Sequence, residues 1–389
     1  MEHDIRQKIG LVKLFWYWGY VPDIDVKLFH PLGTAKKKLE LTDVDVLGFK
    51  IDPELNTKRV AGDCKTKKGT SSINRAFWLS GIMNHLAIER GFVISARNIE
   101  SDHKIASQQL GITLLNEQEF DVLSNALLPQ DFPHSMNLFN TDIWQKFLAE
   151  AQSQHPVNEL WDYRRNRYWQ DTPQEGLRHT LMQTRKHRKF FEQKNRIMNT
   201  IFVDIMTAFS MSLCQMVSEL FQVYLISNQK EILDYQMKVY VYGGREKYDH
   251  LNDLTRRLMQ LRFEIQKSSR IDSPSIPQDA LTLPEWEKFI QLFRTALDAP
   301  SQFFAVPRLL RYVLFEQILT PVRSIDILEA VPNLSNLSVK LTLDLLNYFS
   351  AATETPEQVW LPIRDMLDEI LVIIPSETAR KLDQDSYTF

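Results

Sequence analysis

The chain has 389 residues, 44% of them hydrophobic and 24% charged, with two cysteines and a formal net charge of -3 at neutral pH. That length predicts two or three domains, and that charge excludes a globally basic nucleic-acid binder. Cys64 and Cys214 exclude a disulfide framework and a zinc-ligand spacing, which favours a reducing compartment. The opening "MEHDIRQKIG" lacks the basic-then-apolar order of a signal peptide, and the expectation is a cytoplasmic protein without a membrane anchor.

Residues 3 to 18 predict a helix, because Ile5, Ile9, Val12 and Trp16 recur at spacings of three and four. Gly19 is placed to end it. A basic loop, "GTAKKK", leads to two strand-like runs, 43–51 and 59–65, joined by the turn-forming "DPELNT" as an antiparallel hairpin. Then follow a helix over 72–90, the short strand "GFVISA", a helix from an expected N-cap at Ser101 to a stop at Gly111, and the strand "ITLLN". The order helix, strand, strand, helix, strand, helix, strand predicts a compact α/β unit closing near residue 125.

Beyond a linker-like "LLPQDFPHS", the strand signal fades into helical periodicity. The proline-rich stretch 268–286 divides this remainder, giving expected domains 1–125, 126–272 and 273–389. Residues 201–227 are long and apolar enough to span a bilayer, but Asp204 and Glu219 interrupt them, so a buried helix is expected. "WDYRRNRYWQ", 161–170, interleaves aromatics with arginines. It suits stacking on bases or a protein interface, with the interface preferred.

Chemistry concentrates in "LTDVDVLGFKIDPELNTKRVAGDCKTKKG", 41–69. Alternate strand residues share a face, so Asp43 and Asp45 point one way, while Asp63 and Lys65 share a face and Cys64 takes the other. If the two strands are neighbours, Asp45, Asp63 and Lys65 converge. Two carboxylates with backbone and water oxygens suit Mg²⁺ or Mn²⁺. Such an ion activates water and offsets charge on a phosphate oxygen, which phosphodiester hydrolysis requires. Lys36, Lys37, Lys38, Lys67, Lys68 and Arg75 adjoin the proposed site and could grip a phosphate backbone. Residues 1–75 carry fourteen Lys/Arg against ten Asp/Glu.

"DVDVLGF" followed after a hairpin by "RVAGDCKTKKG" resembles the PD-(D/E)XK nuclease superfamily, the restriction-endonuclease-like fold. "GFVISARNIESDHKIASQQLGITLLNEQEF" is similar to the closing strand, helix and strand of its Mrr-like members. The resemblance covers residues 1–125 and implies a mixed sheet flanked by helices. It implies Asp45 and Asp63 as metal ligands, Lys65 as the catalytic lysine, and DNA cleavage in a prokaryotic restriction or phage-defence setting. The family's frequent first-helix glutamate is replaced here by Lys8 or its neighbours. Glu2, three residues before Ile5, is the nearest carboxylate that could add a metal ligand. That departure keeps open a catalytically degenerate module that binds nucleic acid or scaffolds a larger complex, and the motif does not separate DNA from RNA. The helical C-terminal region could join a partner protein or a second copy.

Overall fold

The protein is described from a computed structural model, which covers all residues except 1, 31–38, 66–70, 154–156, 193–195, 227–229, 267–279, 321–324, 333 and 375–389. Of residues 2–4, 65, 192, 224, 226, 230–232 and 266 it describes the backbone alone. The α/β unit begins with α1 (Glu2–Tyr17). Its stripe buries Ile9, Val12 and Trp16 together with Leu11, Leu14 and Phe15. Gly19, at φ 84°, ends it: its N–H bonds the Trp16 carbonyl and the Tyr20 N–H bonds the Phe15 carbonyl.

Five strands follow: β1 (Val21–Phe29), β2 (Glu40–Ile51), β3 (Thr57–Lys65), β4 (Arg90–Ser95) and β5 (Ile112–Asn116), with α2 (Ser72–Leu86), α3 (Ser101–Gln109) and α4 (Glu117–Leu127). They lie in the order β1-β2-β3-β4-β5. β1, β2 and β3 run antiparallel, and β4 and β5 continue parallel to β3. The hairpin turn is held by Asp52, whose carboxylate accepts the N–H groups of Glu54 and Asn56. The sequence expectation lacked β1, where Pro22 and two aspartates depress the strand signal; an edge strand tolerates that proline. Ser101 proves to be the first helical residue, with Glu100 at the cap position.

The remainder is helical: α5 (Thr141–Ser153), α6 (Asn158–Asp162), α7 (Pro173–Lys186), α8 (Arg196–Ile226), α9 (Lys230–Val241), α10 (Arg245–Gln266), α11 (Trp286–Asp298), α12 (Pro300–Phe303), α13 (Val306–Tyr312), α14 (Ile327–Ala330), α15 (Asn336–Thr353) and α16 (Glu357–Ile373). Among the described residues α8 alone has the length and hydropathy to cross a membrane, and 94% of its most apolar stretch is buried inside the protein. It is the central core helix of this half.

The two halves share a continuous apolar core. Trp16 of α1 donates its indole N–H to the Ala330 carbonyl at 2.9 Å. Phe132, inside the linker-like stretch, is buried and packs beside Tyr17 and Phe139. The basic-aromatic stretch is interior: Trp161, Tyr163, Arg164, Arg165, Tyr168 and Trp169 are all buried, so base stacking is closed to them and the interface they form lies within the chain. Most of the proline-rich stretch lies outside the described residues.

Candidate active site

Asp45 and Asp63 sit at the ends of neighbouring strands. The β2–β3 ladder stops at Val46 opposite Gly62, and one step further these two aspartates occupy the next positions. Both are buried, at 4% and 1% exposure. At that step a side chain replaces the main-chain partner, since the Asp45 carboxylate accepts the Cys64 N–H at 2.6 Å. Asp63 lies beside Val93 and Lys65 beside Ser95 on the parallel strand β4.

Each carboxylate meets a cation. Lys8 of α1 reaches Asp45 at 2.9 Å and also bonds Asp25 of β1. Burial alone would depress the Lys8 ammonium, but Asp45 and Asp25 outweigh it and hold its pKa well above the ordinary lysine value. Burial pushes Asp45 above the ordinary 3.8 despite Lys8 and the Cys64 amide, and the neighbouring Asp63 charge pushes the same way. Arg75, in the first turn of α2, grips Asp63 with both sides of its guanidinium, one bond measuring 2.9 Å, and stacks 3.7 Å above the Trp78 ring. The Ser72 hydroxyl bonds that of Ser95 at 3.1 Å, bringing the start of α2 beside the tip of β4.

Asp25 is itself distinctive. It adopts φ 53°, and the β1–β2 register skips it between Ile24–Val46 and Val26–Val44. A non-glycine residue in this region is uncommon, and such strain gathers at functional positions. Asp25 also lines a cleft of about 660 Å³, walled by Lys27 and Glu40 on the sheet side and by Trp161, Asp162 and Arg165 opposite.

No family model, curated protein or solved structure matches this chain. The site therefore stands on its own geometry.

Of the residues anticipated from sequence, Asp45 and Asp63 come together, and Arg75 joins them through Asp63. Lys65 continues the same strand, but its side chain, like that of Glu2, lies outside the description. Lys36, Lys37, Lys38, Lys67 and Lys68 lie outside the described residues. Asp43 is exposed and faces Lys27 across the strands. Cys64 is buried, on the packing face its parity predicted. The bond from Lys8 to Asp45 went unread, although a lysine at helical spacing between Ile5 and Val12 lies on the apolar face, where an ammonium needs an acid partner. Among the described residues no group of three or more His, Cys, Asp or Glu gathers for a metal. Mg²⁺ commonly takes only one or two protein carboxylates and completes its shell with water or phosphate oxygens, and Asp45 with Asp63 meets that requirement.

Proposed function

We propose that the chain is a metal-dependent nuclease of the PD-(D/E)XK kind, acting on nucleic acid in the cytoplasm of a cell that uses it for restriction or phage defence. One observation carries this reading: two buried carboxylates face each other one step past the end of a β-ladder, with a lysine two residues along the same strand. A sheet of three antiparallel strands and two parallel ones, with a helix before and after the hairpin, supplies the order in which the resemblance sets those motifs.

Asp45 and Asp63 would hold Mg²⁺ or Mn²⁺, which when bound acidifies a water and offsets charge on the phosphate. The protein's own groups set the conditions for this. Lys8 and Arg75 neutralise the buried pair, so the carboxylates that would hold the ion do not form an uncompensated acidic hole. Arg75, at the start of α2, would offer its guanidinium to a phosphate oxygen if the ion took its place on Asp63. The cleft beside Asp25 presents Asp25, Glu40, Glu159 and Asp162 against Lys27 and Arg165, an acidic lining that repels a phosphate backbone.

A second reading is favoured by a specific contact. Lys8 joins Asp25 and Asp45 where the family commonly has a metal-binding glutamate, which suits a degenerate module that binds nucleic acid without cutting it. Purified protein is incubated with plasmid, single-stranded DNA and RNA with Mg²⁺ or Mn²⁺, beside folded Asp63→Ala and Lys65→Ala variants, while calorimetry follows metal binding. Cutting that needs the metal and is lost in both variants is the expected result, and the cleaved polymer identifies the substrate. Retention of nucleic-acid binding with neither metal binding nor cleavage would install the second reading.

A further inference from the structure

α10 is a 22-residue helix that leaves its core early. Tyr248 is buried between Tyr235 and Tyr242, and the Asn252 side chain accepts the Leu281 N–H at 2.9 Å. From Asp249 to Ile265 no residue is buried. Yet this stretch is not polar all round. Leu251, Leu254, Leu258, Leu261 and Ile265 recur at spacings of three, four, three and four, and the last four are between 41% and 78% exposed. That alternation keeps one stripe on one side over two heptads, the spacing with which a helix meets a second helix in a coiled coil. Leu251 is half-buried against the chain's own core, but a helix with no fully buried side chain over the following turns gains little from its own packing, so the exposed part of the stripe calls for a partner.

Charge selects the partner and its direction. With Leu251, Leu258 and Ile265 as one seam position and Leu254 and Leu261 as the other, the residues flanking the seam are His250, Arg257 and Glu264 on one edge and Thr255 and Arg262 on the other. A parallel copy sets Arg257 against Arg262 of its partner twice, which is repulsive. An antiparallel copy with Leu258 opposite Leu261 and Leu254 opposite Ile265 sets Arg257 against Glu264 twice, and two-fold symmetry closes the contact. The chain's own undescribed stretches fit the seam poorly by sequence. "KSSRIDSPSIPQD" has two isoleucines among prolines, and "PSETARKLDQDSYTF" has no three-four apolar repeat.

We propose that the chain forms a homodimer through an antiparallel pairing of α10 with α10 of a second copy.

Sedimentation of the full chain over a dilution series tests this, together with Glu264→Arg, Arg257→Glu and the double exchange. The wild type is expected to dimerise. Each single reversal should weaken association about tenfold, because symmetry turns two attractive contacts into two repulsive ones, and the double exchange should restore it. Leu258→Asp, on an exposed position that leaves the core untouched, should give a folded monomer. A monomeric wild type at all concentrations overturns the proposal. So does a dimer indifferent to Leu258→Asp, or a monomer that binds anionic vesicles through the stripe. A dimer weakened by the single reversals but not restored by the exchange overturns the antiparallel assignment.

Discussion

Lys8 and Asp45 form the pair on which the site's electrostatics turn, and pH exposes it. The folded pKa of Asp45 lies above the ordinary 3.8, so between 3.8 and that raised value the native state holds more protons than the unfolded chain. Stability from this group therefore falls as pH rises through the window. Asp45→Asn removes the effect, and urea unfolding from about pH 4 to about pH 7 should show the wild type losing ground to the variant as pH increases. Lys8 acts at the other limb: its contribution is complete below 10.5 and is lost as pH rises toward its elevated folded value, so Lys8→Met should flatten the alkaline limb. Equal slopes in wild type and variants would remove the pair from the account. Strand parity and the Asp-x-Lys spacing made Asp45 and Asp63 legible in the sequence. Their cations were not, because Lys8 arrives from another element and Arg75 from the helix beyond the loop: the place of Lys8 on an apolar helix face signals that it needs an acid, but which acid is decided only when the sheet folds.

At the scale of elements, Gly62 fixes how closely α1 lies on β3, and with it how Lys8 meets Asp45. A Cβ at Gly62 would come within 2.4 Å of Leu11 Cδ1, and Leu11 is fully buried. Gly62→Ala should therefore cost about 1–3 kcal/mol through overpacking. The loss should be partly recovered against Leu11→Ala, so that the double variant is more stable than the sum of the two predicts. Denaturant unfolding of the four proteins measures the coupling, and strict additivity would place the strain elsewhere. The hairpin, α2, β4, α3 and β5 were readable because turn residues and apolar periodicity agreed there. β1 was hidden by Pro22, which only its edge position excuses. α4 escaped although Asn116 and Glu119 form a reciprocal capping box, a signal present in the letters "NEQE".

Across the whole molecule, the joint between the sheet and the helices is ionic at its centre. Asp23 of β1, Arg164 and Arg165 of the π-helical turn Tyr163–Arg167, Asp204 of α8 and Arg311 of α13 are all buried. Arg164 bonds Asp23 at 2.8 Å and Asp204 at 3.0 Å, Arg311 bonds Asp204 at 2.9 Å, and Arg165 holds Asp23 and the Ile24 carbonyl. Burial works against the Asp23 carboxylate, but the three guanidiniums outweigh it and keep its pKa far below the usual range. Three cations against two anions leave no spare acid, so every one of these carboxylates is needed. Asp23→Asn strands buried guanidiniums and should cost about 3–5 kcal/mol, whereas replacing Asp23 and Arg165 together by leucine should cost less than Asp23→Asn alone. The sequence could not reveal this, since an aspartate in a strand and an arginine pair in a helix each read as surface charge until the two elements meet. Because the cluster ties the α/β unit to the helices, wild-type unfolding should appear as one transition by tryptophan fluorescence and by far-ultraviolet circular dichroism, and Asp23→Asn should separate the two signals. Coincident transitions in the variant would show that the shared apolar core, rather than the buried charges, couples the halves.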